Sequence, residues 1–128
     1  MIRIVLDASA ILAVINAEPG AEKLTPELLS GAVGSTVNLA EVQTKLVSRG
    51  WTSEQAWEDA TSPVREVLSF DERQSRIAGD LVTQTRYLGL SLGDRACIAL
   101  GVALKVPVYT AEKAWKGLKV GVRVYVIR

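Results

Sequence analysis

Ile2-Arg3-Ile4-Val5-Leu6-Asp7, running directly into Ala8-Ser9-Ala10-Ile11-Leu12-Ala13-Val14-Ile15-Asn16, decides the fold. Ile2 to Leu6 is short and rich in β-branched residues, as a buried strand is. Ala8 to Asn16 is apolar on nearly every side and reads as a buried helix, punctuated by Pro19-Gly20. Outward from there the alternation continues. A helix is expected over 21–30, a strand over 33–37, and a helix from Leu39 to about Arg49, ended by Gly50. A helix carrying Trp57 starts at Thr52 or Ser53. Ser62-Pro63 reads as a restart, with Ser at the cap and Pro in the first turn. An extended stretch around Val67-Leu68 precedes a long amphipathic helix over 72–87, closed by Gly89. Leu90 to Gly93 is a loop into the apolar helix 94–104, and strands over 106–110 and 122–127 complete the chain. The small residues Ala96, Ala99, Gly101 and Ala103 permit that apolar helix to pack closely on a sheet. Strands without apolar–polar alternation, separated by helices, belong to a parallel sheet covered on both faces. The expected class is α/β, a three-layer α/β/α sandwich with a central, mainly parallel sheet. Its ligands bind at the carboxyl ends of the strands.

The 128 residues suit one domain, 1–128, large enough to bury a core without staples. Cys97 is the only cysteine, so there is no internal disulfide and no basis for a structural zinc site. Histidine is absent, which removes Ser-His-Asp triads, Cys-His pairs, imidazole metal sites and histidine-based ribonuclease chemistry. Catalysis has to run on carboxylates, lysine, arginine or hydroxyls. The net charge of +1 predicts no polyanion partner, although six basic residues against one acid from Lys105 to Arg128 make that end locally positive. No secretory signal is visible, and the longest apolar run, Ala96 to Leu104, is too short to cross a bilayer. The chain reads as soluble and cytoplasmic, with no membrane partner.

Four acids fall at strand-to-helix junctions, on the edge where α/β active sites form. Asp7 follows the first strand, Glu41 lies in the first turn of the helix after Val37, Asp94 opens the apolar helix, and Glu112 follows Thr110 by two residues. Each alone has a plain structural reading. Asp7 is a good N-cap. Asn38-Leu39-Ala40-Glu41 and Ser91-Leu92-Gly93-Asp94 have capping-box spacing. Acids in general favour helix N-termini. Taken together, four carboxylates on one edge repel unless a cation sits between them. An oxygen-only ligand set selects Mg²⁺ or Mn²⁺, which activates water and stabilises in-line phosphoryl transfer.

Ile4-Val5-Leu6-Asp7-Ala8-Ser9-Ala10, Val37-Asn38-Leu39-Ala40-Glu41-Val42, Leu92-Gly93-Asp94-Arg95-Ala96 and Val108-Tyr109-Thr110-Ala111-Glu112 resemble, in order and spacing, the motifs of PIN-domain ribonucleases. Within that family the chain looks most like VapC, the toxin of VapBC toxin–antitoxin modules. The resemblance implies a Mg²⁺- or Mn²⁺-dependent endoribonuclease, a homodimer, and inhibition by a small DNA-binding, VapB-like antitoxin. Asp7, Glu41 and Asp94 match the acidic triad. Glu112 stands where the family more often has Asp, and its extra methylene is compatible with contact through water. Ser9, Asn38 and Thr110 match polar positions around the site, where local capping is an equal reading. Arg95 and Lys113 are candidate phosphate contacts. The implied reaction is RNA hydrolysis leaving 5′-phosphate and 3′-hydroxyl ends. The three tryptophans, Trp51, Trp57 and Trp115, are large for a small core and add a reason to expect self-association.

Other classes fit less well. A phosphatase of the haloacid-dehalogenase type wants a second Asp two residues after the first, and that residue is Ser9. Neither a P-loop nor a nicotinamide fingerprint occurs. The non-enzymatic alternative is an α/β module that binds RNA or protein and whose acids merely cap helices.

Overall fold

Ile4, Val5 and Leu6 are fully buried although their side chains alternate in direction, which requires cover on both sides of the strand they form, β1 (Ile4–Leu6). The computed structural model describes residues 2–128. After β1 come α1 (Ala8–Ile15), a 3-10 turn (Ala21–Lys23), α2 (Pro26–Leu29), β2 (Ala32–Ser35), α3 (Thr36–Ser48), α4 (Ser53–Thr61) and β3 (Glu66–Leu68). The second half holds α5 (Glu72–Asp80), α6 (Val82–Thr85), a 3-10 turn (Arg86–Leu88), α7 (Leu92–Leu104), β4 (Val108–Thr110), a 3-10 turn (Lys113–Trp115) and β5 (Val124–Val126).

The strands form one sheet in the order β3-β2-β1-β4-β5, and every pair is parallel. On one face Ile4, Leu6 and Ala32 pack with Ala10 and Ile11 of α1, Leu39, Val42 and Leu46 of α3, and Ala56 and Ala60 of α4. On the other, Val5, Val33 and Val108 pack with Ala78 of α5, Cys97, Ile98 and Leu100 of α7, and Trp115. These are the three expected layers. Close packing of α7 depends on Gly101: a Cβ there would lie 2.5 Å from Val108 Cγ2. No helix among the described residues is long and apolar enough to cross a membrane.

Four local expectations change. The helix expected over 21–30 is a 3-10 turn followed by α2, because Thr25 and Pro26 start a new helix; Thr25 Oγ1 accepts the Leu28 N–H at 3.3 Å. Helix α3 begins three residues early. Ser35 takes the N-cap, with its Oγ accepting the Val37 N–H at 3.2 Å, so Asn38 is inside the helix and Glu41 is in its second turn. Ser62 does not restart a helix; it ends α4, donating back to the Asp59 carbonyl at 2.7 Å, and Pro63 follows where a helix cannot continue. The long helix expected over 72–87 breaks at Leu81. Thr83 and Thr85 there donate to the Asp80 and Leu81 carbonyls, at 3.3 and 2.9 Å, in competition with regular helix bonding. Trp115, with 2% of its surface exposed, belongs to the core, which leaves Trp51 and Trp57 as the exposed indoles.

Candidate active site

After β1 the chain builds β2 and β3 to one side, then crosses to build β4 and β5 on the other. The carboxyl ends of β1 and β4 therefore flank the switch point, where open parallel sheets bind ligands. Asp7 stands at the end of β1, and Thr110 to Glu112 at the end of β4.

Asp7 is buried, and both its oxygens are occupied. Oδ1 accepts the Ala10 N–H at 2.8 Å, which makes Asp7 the N-cap of α1, and the Ser9 hydroxyl at 2.7 Å. Oδ2 accepts the Thr110 hydroxyl at 2.6 Å, across the two strands. Ser9 Oγ accepts the Ala111 N–H at 2.9 Å, and Thr110 Oγ1 accepts the Glu112 N–H at 3.0 Å. Burial pushes the Asp7 carboxyl up to about 6; the bonds from Thr110, Ala10 and Ser9 pull it back, and the charge of Asp94 raises it.

Glu41 is held differently. Asn38 Nδ2 donates to Glu41 Oε1 at 2.8 Å and to the Gly93 carbonyl at 3.0 Å, tying α3 to the first turn of α7. Asn38 is buried, and its Oδ1 has no partner among the described residues. Gly93 leaves the space that the Glu41 carboxylate fills: a Cβ at Gly93 would lie 2.4 Å from Glu41 Oε2. The capping box expected at Asn38 and Glu41 is therefore absent. The one at Ser91 and Asp94 forms, with Asp94 Oδ2 accepting the Ser91 N–H at 2.9 Å and Ser91 Oγ accepting the Asp94 N–H at 3.1 Å. Glu112 precedes the 3-10 turn Lys113–Trp115 and makes no capping bond with its side chain.

Asp7, Glu41, Asp94 and Glu112 line one pocket of about 200 Å³, together with Ala8, Ser9, Leu12 and Lys45. The buried Cys97 thiol of α7 is raised by burial and then by the charges of Asp7, Asp94 and Glu41. Arg95 is turned away, donating to the Ala78 carbonyl of α5 at 2.8 Å, and Lys113 lines a separate cavity with Pro19, Gly20 and Glu22. Lys45 and the spacing role of Gly93 were missed from sequence. The available signal for Lys45 is its position one helical turn after Glu41. A larger groove of about 610 Å³ lies at the other end of β4, along Val106, Pro107 and Val120, and has no carboxylate in its lining.

The donor set is oxygen only, which suits a hard divalent cation. Among the described residues no three acidic or thiol groups are drawn together as a ready-made metal cage. At ~30 Å³ per liquid water, the pocket has room for a cation that keeps part of its hydration, the form in which Mg²⁺ binds to a few carboxylates.

The PIN-domain family model matches residues 4–119. No match was found among curated proteins. Among solved structures the chain is similar to VapBC2 of Rickettsia felis bound to a DNA fragment from its promoter, with a TM-score of 0.72, 23% identity and 97% of each chain covered. It is similar to a toxin–antitoxin complex from Klebsiella pneumoniae, with a TM-score of 0.76, 14% identity and 98% of each chain covered. A third is VapC20 of Mycobacterium tuberculosis, a toxin that cleaves the sarcin–ricin loop, with a TM-score of 0.70 and 18% identity over 91% of this chain and 96% of that one. At these identities the likeness is one of fold. The family match runs from the first residue of β1 to beyond Glu112 and takes in all four carboxylates of the pocket, and the chain belongs to the PIN-domain family.

Proposed function

We propose that this chain is a Mg²⁺- or Mn²⁺-dependent endoribonuclease acting as the toxin of a toxin–antitoxin pair, with residues 1–128 as its nuclease domain. One observation carries the reading. Capping accounts for Asp7 and Asp94 but not for Glu41 or Glu112, yet all four line one pocket at the sheet's switch point. An acid without a structural task, held in place by a buried amide and a glycine-made space, is an acid kept for a ligand. Membership of the PIN family and the likeness to toxin–antitoxin structures support the substrate and the biological setting.

A divalent cation bound in the pocket would supply charge to the scissile phosphate and acidify water for attack. Asp7, Glu41 and Asp94 would hold it, with Glu112 beside them on the pocket lining. Ser9 and Thr110 fix both oxygens of Asp7, so its carboxylate is oriented before a ligand arrives. Asn38 does the same for Glu41. Water attacks phosphorus and the bridging 3′ oxygen leaves and takes up a proton, giving 5′-phosphate and 3′-hydroxyl products. No histidine and no 2′-hydroxyl attack is needed. The partners are RNA, a VapB-like antitoxin and a second copy of the chain, in the cytoplasm. Trp51 and Trp57 are 36% and 43% exposed and support self-association through the α3–α4 side, which light scattering checks.

The test is cleavage of structured RNA by purified protein with Mg²⁺, with Mn²⁺ and with chelator, followed by analysis of product ends. Cleavage that requires the cation, leaves 5′-phosphates and disappears in Asp7→Asn is the expected result. Metal-independent cleavage, or 2′,3′-cyclic ends, overturns the mechanism. No cleavage of any RNA, in protein freed of partner, favours the non-catalytic binding module instead.

A further inference from the structure

Among the described residues Lys45 is the one cation lining the carboxylate pocket. It lies on α3 one turn beyond Glu41, in the order that favours a helix-stabilising ion pair. That pair is not made. Ion pairs among the described residues include Arg3 with Glu66 and Arg128 with Glu18, and the Glu41 carboxylate takes the Asn38 amide instead. The Lys45 side chain is exposed while the residue lines the pocket, which puts it at the pocket's solvent-facing side. Of the two cations expected from sequence to meet phosphate, Arg95 donates to the Ala78 carbonyl and Lys113 lines another cavity.

The pocket has an electrostatic problem that Lys45 addresses. Four carboxylates outweigh one divalent cation and one lysine, so the lining stays negative when the cation is bound, while the substrate is a polyanion. A phosphate approaching that edge meets repulsion unless a positive group stands on the entry path. We propose that Lys45 is a substrate-binding residue whose ammonium meets a non-bridging oxygen of an RNA phosphate at the mouth of the pocket. This rests on the nuclease reading above and adds a residue and a contact to it. A lysine serving only as a solvated helix surface would leave RNA binding unchanged when replaced.

Lys45→Gln removes the charge and keeps helix propensity and most of the side-chain length; Lys45→Arg keeps the charge. In the active protein, Lys45→Gln is expected to raise KM for RNA about tenfold, as expected for one lost charge-assisted contact, with kcat within about twofold. The Mg²⁺ concentration for half-maximal activity and the melting temperature should stay near wild type. Independently of turnover, a labelled RNA is titrated by fluorescence anisotropy onto Asp94→Asn with and without Lys45→Gln. The slope of log affinity against log salt should fall by about 0.7, the value for one single-strand phosphate contact. Lys45→Arg should restore both KM and slope. If wild type cuts RNA while Lys45→Gln keeps its KM and salt slope, this inference is wrong and the nuclease reading stands. Equal damage by Gln and Arg, with a lowered melting temperature, makes Lys45 structural and overturns it too. A wild type that neither binds nor cuts RNA overturns the nuclease reading, and this inference with it.

Discussion

Asp7→Asn in metal-free protein should raise stability at neutral pH, and the structure sets the size of the effect. Burial lifts the Asp7 carboxyl from 3.8 to about 6. A raised acid favours the folded state while protonated. Its contribution is complete below pH 3.8 and is lost as pH rises through 6. At about 1.4 kcal/mol per pH unit, some two units amount to about 3 kcal/mol forfeited by pH 7.5. Asparagine cannot ionise, so it forfeits nothing. It is as good an N-cap as aspartate, so the bond to the Ala10 N–H survives. The local network also adapts. Asn Nδ2 in the place of Oδ2 donates to Thr110 Oγ1, which still accepts the Glu112 N–H, while the Thr110 hydroxyl turns its proton to Ser9 Oγ at 3.2 Å. Allowing about 1 kcal/mol for that rearrangement, the variant should exceed wild type by roughly 1–2 kcal/mol at pH 7.5 in chelator, about 4–8 °C in melting temperature. The advantage should vanish by about pH 4. Added Mg²⁺ should reverse the order: wild type gains about 2.7 kcal/mol at a hundredfold excess over Kd, and the variant gains much less. Thermal melts of both proteins from pH 4 to 8, in chelator and in Mg²⁺, make the measurement. The reasoning fails if the two proteins share one pH profile, or if the variant is the less stable at pH 7.5 without metal.

Gly93→Ala should leave stability within about 0.5 kcal/mol, since alanine suits a helix and the group it strikes is the end of a flexible side chain, but it should displace the Glu41 carboxylate and cut activity sharply; melts beside cleavage assays show the split. Asn38→Asp places a carboxylate against Glu41 Oε1 and the Gly93 carbonyl, so it should cost roughly 2–3 kcal/mol at pH 8 and recover on acidification to pH 5, read from urea midpoints. Thr110→Val strips a donor from Asp7 Oδ2 and the partner from the Glu112 N–H, costing about 1–3 kcal/mol at neutral pH. Because the Thr110 bond holds the Asp7 carboxyl down, the variant's pH-dependent loss of stability should also move above 6, a shift visible in the same melts.

The layers were legible in the chain because burial on both faces leaves runs such as Ile4-Val5-Leu6 without alternation. Asp7 and Asp94 were legible as caps because capping is local, spanning three residues. Where two local signals compete, the sequence alone does not decide. Ser35 and Asn38 are both good caps; Ser35 wins because β2 is already paired up to that residue, against Leu68, and this places Asn38 in the interior. The break at Leu81 and the ending at Ser62 are similar contests between hydroxyl side chains and helix carbonyls. Lys45 carried only its spacing from Glu41 as a signal, and Gly93 was illegible for another reason. Its significance lies in α3 meeting α7, a contact between segments about fifty residues apart with no local signature.

Asp7 and Glu41 together weigh against the view that these acids serve only the fold. Ser, Thr or Asn would cap α1 as well as Asp7 does, without a buried carboxyl whose ionisation opposes folding near neutral pH. Ser35 and Thr52 show that the chain uses hydroxyl caps freely. Glu41 caps nothing, yet it is held by an asparagine whose own Oδ1 is buried without a partner among the described residues. Both arrangements cost stability in the metal-free protein, and both position carboxylates that line the same pocket. A bound cation would offset the first cost by favouring the ionised form of Asp7, and would draw on the Glu41 carboxylate that the second holds in place.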